Sequence, residues 1–317
     1  MIVALAGGVG GARLAVGLAA VLPPSQLAIV VNTGDDFDHL GLAVSPDLDT
    51  VMYTLAGVNN PVAGWGRAKE TWSFMSALAE LGGDDWFRLG DRDLAVHVLR
   101  TLALRRGRAL SAVTRELAGR LGIRHALIPM SDTPVRTRVL TARGVLAFQD
   151  YFVRDQCRPR VRGFRFAGSR NAQPAPPLAR IMRSRQVRAV VICPSNPYVS
   201  VAPILSVPAI RAWIRRRDFP VVAVSPIVGG AALKGPAAKM MRELGCEATA
   251  LGVVRHYGNS VDGWVIDRQD AKLQRAIEWQ GKTVLVTDTV MNDRGKSARL
   301  AQRVVSFARA LALKVCP

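Results

Sequence analysis

A short apolar stretch, residues 2–5, runs straight into Gly7-Gly8-Val9-Gly10-Gly11-Ala12-Arg13 and from there into a helical pattern. Strand, glycine turn and helix N-terminus in that order make the first βα junction of an open α/β sheet. Such a junction is an anion site. Glycine lets the backbone approach a phosphate, and the open N–H groups with the helix dipole favour negative charge. No Gly-Lys-Ser/Thr follows, so the turn is not a Walker loop. If Gly8 and Gly10 are the first two glycines of Gly-x-Gly-x-x-Gly, Arg13 stands where the third belongs. The second strand ends in Asn32, where a nicotinamide-dinucleotide unit carries an acid for the ribose. The turn reads as a diphosphate site rather than a dinucleotide site. The competing reading is an ordinary tight strand-to-helix turn.

Apolar runs of strand length recur at 27–31, 126–128, 189–192, 221–224 and 284–286, with helical patterns between most of them. Alternating strands and helices imply a parallel sheet covered on both faces. Residues 46–122 break the rhythm with helical patterns at 47–56, 68–82, 92–106 and 110–121. The expectation is a Rossmann-like α/β fold, its sheet mostly parallel, with a helical insertion. It is read as one domain over 1–317 with a helical cap over about 46–122. Alternation at Val139, Val145, Ala147, Tyr151 and Val153 suggests a small antiparallel addition over 136–166. Residues 169–177 look most like a linker, and a last helix is expected over about 296–313.

Composition narrows the function classes. No charged leader precedes the first strand, and no apolar run approaches a membrane span. Cys157, Cys193, Cys246 and Cys316 show neither disulfide nor zinc spacing, which fits a reducing cytoplasm. The formal net charge is +19, and only seven of the 43 basic residues are lysine. The arginines are spread along the chain, with a denser stretch over 154–188, and no RNA- or DNA-binding signature accompanies them. A solvated basic surface, or attraction of small polyanionic substrates, explains the charge better than nucleic acid does. The oligomeric state is open, a homodimer included.

Acids are scarce but cluster early. Asp35 and Asp36 follow the second strand, at the sheet edge where open α/β folds bind ligands. A diphosphate beside carboxylates calls for a cation between them, usually magnesium; alternatively the two are turn residues after Gly34. Ser45-Pro46-Asp47-Leu48-Asp49 looks like a helix start, with Ser45 as cap and Pro46 at the first position. The helix dipole accounts for Asp47 but less well for Asp49. Arg88 precedes Leu89-Gly90-Asp91-Arg92-Asp93, where Asp91 can cap a helix. Trp65 and Trp72 lie close by in sequence, and aromatics beside arginines can hold a flat heterocycle. Pro194-Ser195-Asn196-Pro197 and Ser225-Pro226-Ile227-Val228-Gly229 are loops after buried strands. Asn196 has the donor and acceptor that reading a purine edge requires, although two rigid turns would look the same. There is no Gly-x-Ser-x-Gly elbow, and the four histidines lack metal-ligand spacing.

Taken together, the glycine turn (7–13), Ser-Pro-Asp-Leu-Asp-Thr-Val-Met-Tyr-Thr-Leu-Ala-Gly (45–57), Leu-Gly-Asp-Arg-Asp (89–93), Pro-Met-Ser-Asp (129–132), Phe-Gln-Asp (148–150), Pro-Ser-Asn-Pro (194–197) and Ser-Pro-Ile-Val-Gly (225–229) resemble the 2-phospho-L-lactate transferases of coenzyme F420 biosynthesis. The resemblance spans nearly the whole chain. It implies a magnesium-dependent transfer of a phospho-three-carbon-acid group (2-phospholactyl, phosphoenolpyruvyl or 3-phosphoglyceryl) from a guanosine diphosphate-linked donor to the deazaflavin Fo, releasing GMP. It further implies that Gly8, Gly10 and Gly11 cradle the diphosphate, and that Ser195, Asn196, Ile227, Val228 and Gly229 hold the guanosine. Asp49, Arg88, Trp65 and Asp91 would surround Fo. Asp36 and Asp49 would take Mg2+, with Asp49 also the catalytic acid. The alternative is a non-catalytic UDP-sugar-binding regulator of the gluconeogenesis-factor type, which shares the glycine turn but lacks the Pro-Asp-Leu-Asp-Thr and Gly-Asp-Arg-Asp runs.

Overall fold

The computed structural model describes residues 1–216 and 218–315, so Cys316 lies outside the described residues. Strand β1 (Ile2–Ala6) leads through the glycine turn into α1 (Gly8–Val21) and β2 (Leu27–Val31). A short hairpin follows, β3 (Phe37–His39) and β4 (Leu42–Val44). Four helices come next, α2 (Pro46–Ala56), α3 (Ser73–Glu80), α4 (Asp91–Arg105) and α5 (Leu110–Arg120), and the chain returns to the sheet as β5 (Ala126–Pro129). An antiparallel unit of β6 (Arg136–Thr141), β7 (Gly144–Ala147) and β8 (Val161–Ala167) separates the two halves. The second half runs α6 (Pro176–Arg183), β9 (Ala189–Ile192), α7 (Ala202–Ser206), α8 (Pro208–Arg215) and β10 (Val221–Val224). It continues through β11 (Ile227–Val228), β12 (Ala231–Ala232), α9 (Ala237–Glu243), α10 (Ala250–Tyr257), β13 (Gly263–Asp267), α11 (Gln274–Glu278), β14 (Thr283–Thr287) and α12 (Arg294–Val315).

The central sheet has the order β14-β13-β10-β9-β1-β2-β5, and every neighbouring pair is parallel. The chain winds outward from β1 through β2 to β5, then crosses back to the other side of β1. The order therefore reverses between β1 and β9, where Leu5 lies opposite Ile192. Crevices at such a reversal, outside the carboxyl ends of the strands, are where open α/β sheets bind ligands. This is the Rossmann-like α/β fold expected from the sequence.

Side chains alternate across the sheet. Ile2, Ala4 and Ala6 of β1 join a core with Leu14 and Leu18 of α1, Met52 of α2 and Leu300 and Val304 of α12. Val3 and Leu5 point the other way, into a core with Ile204, Trp213, Met241 and Trp264. α1 packs against both α2 and α12. Gly17 permits the second contact: a Cβ there would collide with the Ser297 carbonyl.

The structure departs from the sequence reading in four places. The buried strand β13 was not expected, although its Trp264, Val265 and Ile266 are strand-favouring residues. Its Gly263 lies under α12, where a Cβ would come within 2.8 Å of Phe307. Tyr151 and Val153 lie in a helical turn, Asp150–Arg154, instead of a strand. The spacing that wins there is four, with Phe148 stacked on Phe152 at 5.3 Å. The linker-like residues 169–177 are tied down by buried Ala172 and Ala175, the latter bonded through its N–H to the Met130 carbonyl. The helical pattern at 68–82 becomes a helix over Ser73–Glu80 alone.

Candidate functional site

One cavity of about 650 Å³ opens at the carboxyl edge of the sheet. Its floor is the glycine turn after β1, the loop after β9 and the loop after β10. The helical segment 46–122 and Phe148, Gln149 and Phe152 close its sides.

The glycines serve protein packing as well as any ligand. Gly8 adopts φ +63° and donates its N–H to Asp47 Oδ1 at 2.7 Å. A Cβ on Gly7 would lie 2.5 Å from Asp47 Oδ2, one on Gly11 would lie 2.5 Å from Ser195 Oγ, and one on Gly10 would collide with the Pro194 carbonyl. Ser195 is buried. It donates to the Gly7 carbonyl at 2.8 Å and accepts from the Gly7 N–H at 3.2 Å, stitching the β9 loop to the β1 turn. Within its own sequence α1 has no capping side chain and no acid in its first turn; Asp47, from α2, takes its first N–H, that of Gly8. The N-terminal N–H groups of a helix have no intrahelical partner, and Gly8, Val9 and Gly10 line the cavity. The dipole-positive helix end thus faces the cavity with Asp47 bound to its first N–H and the next ones left to it.

The second ligand loop is built differently from expectation. Asn196 Oδ1 accepts from the Tyr198 N–H at 3.0 Å and the Val199 N–H at 3.4 Å, and its amide nitrogen points to Met240 Sδ at 3.4 Å. Its acceptor is therefore committed to a turn, although Asn196 lines the cavity. Of 227–229, Val228 lines the cavity, Ile227 is fully buried, and Gly229 donates its N–H to Asp270 at 3.1 Å.

Four acids of the early cluster are buried together: Asp35, Asp36, Asp47 and Asp49. Asp47 and Asp49 sit two residues apart on one helix and so point in different directions. Asp47 turns to the glycine turn, where its second oxygen accepts from Asn32 Nδ2 at 2.9 Å. Asn32 thus orients an acid rather than reading a ribose. Asp49 turns to α4, where both its oxygens are taken by the Arg100 guanidinium. Ser45 does not cap α2 with its side chain; its hydroxyl donates to Asp36 Oδ2 at 2.9 Å. Burial pushes the Asp47 carboxyl up to about 6, against hydrogen bonds from Asn32 and Gly8 that favour the anion. Burial likewise raises Asp36 to about 7, with Arg136 opposing. Asp35 is raised by burial and then by the neighbouring Asp47 charge.

A magnesium ion implied by the resemblance can be tested against this cluster. Among the described residues no three His, Cys, Asp or Glu side chains are grouped to hold a metal. Magnesium needs fewer: it is usually held by one or two carboxylates, with waters and substrate phosphates completing the shell. Asp35 lines the cavity, and its buried Oδ1 has no hydrogen-bond partner. It adjoins Asp47, which also lines the cavity. These two acids fit the ion. Of the pair expected from the sequence, Asp36 does not line the cavity, and Asp49 lines it with both oxygens held by Arg100.

The far end of the cavity is aromatic and carries a buried polar chain. Trp86, Phe87 and Phe152 line it; Trp65 also lines the cavity, but beside Gly64, which sits against Val9 of the glycine turn. Arg88 lies at the edge of the aromatic end with its guanidinium 4.5 Å from the centre of the Trp72 ring. Tyr53 Oη donates to Asp93 Oδ1 at 2.5 Å, and His97 Nδ1 lies 3.2 Å from Arg100. Asp91 faces elsewhere. It accepts from the Ser73 and Phe74 N–H groups at 3.1 and 3.2 Å, capping α3, while Glu70 accepts from the Arg92 and Asp93 N–H groups and caps α4. The two helices thus exchange caps, and the second acid of the Gly-Asp-Arg-Asp run is the one that reaches the cavity. Sequence reading singled out neither Arg100 nor His97. Their positions at four and seven residues after Asp93 on one helix were the available signal.

A doubly wound, Rossmann-like α/β sheet thus brings a helix N-terminus, an acid pair and an aromatic annex to one cavity at its carboxyl edge. The chain belongs to the 2-phospho-L-lactate transferase CofD family, whose model matches residues 2–305. It is 42% identical over 313 residues to a phosphoenolpyruvate transferase of Streptomyces griseus, covering 97% of this chain and 98% of that protein. It is 37% identical over 299 residues to a 2-phospho-L-lactate transferase of Methanosarcina mazei, covering 94% and 97%. Among solved structures, a UPF0052 family protein of Bacillus halodurans aligns with a TM-score of 0.62 at 13% identity, covering 96% of this chain and 98% of that one. At that identity the likeness is of fold alone. Among the described residues no single helix is long and apolar enough to cross a membrane.

Proposed function

We propose that the protein transfers a phospho-three-carbon-acid group from a guanosine diphosphate-linked donor to the primary ribityl hydroxyl of Fo, as a cytoplasmic step in making coenzyme F420. The observation that carries this reading is the single cavity, which joins an anion-binding helix end to an aromatic annex. A diphosphate suits the first and a flat deazaflavin the second. Relatives at 41 and 42% identity are named for phosphoenolpyruvate and those at 37 and 38% for 2-phospho-L-lactate, so the enolpyruvyl donor is the first to test. The same relatives are transferases, which argues against the UDP-sugar regulator.

In the proposed reaction the hydroxyl oxygen attacks the phosphorus that bears the three-carbon acid. The bond from that phosphorus to the bridging oxygen breaks, GMP leaves with the electron pair, and the hydroxyl proton is released to solvent. Phosphoryl transfer asks mainly for in-line positioning and charge neutralisation. The N–H groups of Val9 and Gly10 would face the diphosphate, while Asp35 and Asp47 would hold Mg2+. Magnesium, when bound, supplies positive charge against the diphosphate and the leaving GMP. Asp49, paired with Arg100, is proposed as a positioning residue instead of the base.

Thermal denaturation with nucleotides tests the ligand class, because a ligand bound only by the native state stabilises it by mass action. GDP with Mg2+ should raise the melting temperature. Stabilisation by UDP-N-acetylglucosamine and not by GDP would favour the regulator.

A further inference from the structure

In the aromatic end of the cavity, one buried nitrogen has no partner. His97 is 1% exposed and lines the cavity, and its Nε2 makes no hydrogen bond. Its other nitrogen fixes what Nε2 can do. Nδ1 lies 3.2 Å from Arg100 Nη1, and a guanidinium only donates. With Nδ1 accepting from Arg100, the neutral ring carries its proton on Nε2 as a donor. Asp93 Oδ1 is 3.6 Å from Nε2, too far for a hydrogen bond, and is already taken by the Tyr53 hydroxyl. Among the described residues no hydrogen bond is made to Asp93 Oδ2. Burial works against the Asp93 anion, while the Tyr53 hydrogen bond and the Arg100 charge favour it. An anionic acceptor and a neutral N–H donor thus stand side by side in the cavity wall. Trp86 and Phe87, just ahead of α4, line the same cavity.

We infer that Asp93 and His97 are specificity residues that read the imide edge of the acceptor's pyrimidinedione ring. The Asp93 carboxylate accepts its N3–H, and His97 Nε2–H donates to a flanking carbonyl. The inference rests on the proposed deazaflavin acceptor and adds the contacts that select it. Tyr53 holds Asp93 in place from the other side, and Arg100 fixes the His97 tautomer. A heterocycle without an N–H between carbonyls leaves a buried carboxylate unpaired. Sites built on such hydrogen bonds reject analogues that lack them far more strongly than apolar pockets reject a missing methylene.

The test is steady-state kinetics of the full chain with the guanylyl donor and either Fo or N3-methyl-Fo. For the unaltered protein, methylation should raise KM by at least ~10-fold, the scale of a hydrogen bond to a charged group, with kcat changed less. In Asp93→Asn the Tyr53 hydroxyl should claim the amide oxygen, which turns the NH2 towards the ligand N–H. KM for Fo should then rise by at least ~10-fold, and the preference for Fo over its methylated form should shrink to within ~3-fold. His97→Gln, which keeps a donor near Nε2, should stay closer to the unaltered KM than His97→Leu. Circular dichroism melting checks that each variant folds, and the methylation effect on the unaltered protein decides the matter even if none does. Equal KM values for the two acceptors, or an Asp93→Asn variant that keeps the full preference, would overturn the inference while leaving the transfer reaction intact. Absence of turnover with Fo would instead overturn the proposed function and this inference with it.

Discussion

Arg100 on α4 holds both carboxylate oxygens of Asp49 on α2, and the two are only 2% and 4% exposed. This pair joins the helix that faces the glycine turn to the helix that carries Asp93 and His97. Removing one partner of a buried pair strands the other charge. Arg100→Leu should therefore cost about 3–5 kcal/mol in urea denaturation. The double variant Asp49→Leu/Arg100→Leu should recover much of that loss, since replacing a buried pair with apolar groups is often neutral. If Arg100→Leu costs less than ~1 kcal/mol, the pair does not join the helices.

Asp47 differs from an acid that only complements a helix dipole. Asp47→Asn presents an NH2 to either the Gly8 N–H or the Asn32 amide, donor against donor. The expected loss is about 1–3 kcal/mol, the range for an unsatisfied buried polar group. Stabilisation by GDP with Mg2+ should fall as well. A loss below ~0.5 kcal/mol would mean that the dipole is all it serves.

The buried acids set a pH dependence. Burial raises Asp36 to about 7 and Asp47 to about 6, above ordinary carboxyl values near 4. The native state therefore holds these protons more tightly than the unfolded chain. Their contribution to stability is complete below about pH 4 and is lost as pH rises through 6 to 7. Melting temperatures without divalent cation should fall across that window, and Asp36→Asn should flatten the fall. Magnesium should stabilise the protein more at pH 8 than at pH 5, because it competes with those protons. Equal stabilisation at both values would place the ion elsewhere.

Much of this was legible in the sequence because glycine, proline and β-branched runs act locally. The glycine turn, the Pro46 helix start and six of the seven sheet strands follow from short patterns. β13 was missed although Trp264, Val265 and Ile266 favour a strand; its flanking Gly263, which admits α12, and Asp267 shorten the apolar run. The acids were visible as a cluster, yet their roles were not. Residues two apart on a helix diverge, and Asp49 is set apart from Asp47 by Arg100, far along the chain. Asp91 and Asp93 exchanged roles for the same reason, because Glu70 supplies the cap that Asp91 was expected to provide for α4.

The net charge of +19 has its own test. If the arginines serve solubility and small anions, duplex DNA should bind without sequence preference, and no tighter than ~1 μM at physiological salt. The affinity should fall steeply as salt rises. Tight sequence-selective binding at that salt would point to a nucleic-acid function.

The most direct measurement is mass spectrometry of the full chain incubated with Mg2+, Fo and each guanylyl-linked donor in turn: phosphoenolpyruvyl, 2-phospholactyl and 3-phosphoglyceryl. The expected result is GMP together with Fo carrying the corresponding phospho-acid, in equal amounts and only when Fo is present. GMP without a modified deazaflavin, or no product from any of the three donors, would contradict transfer to Fo.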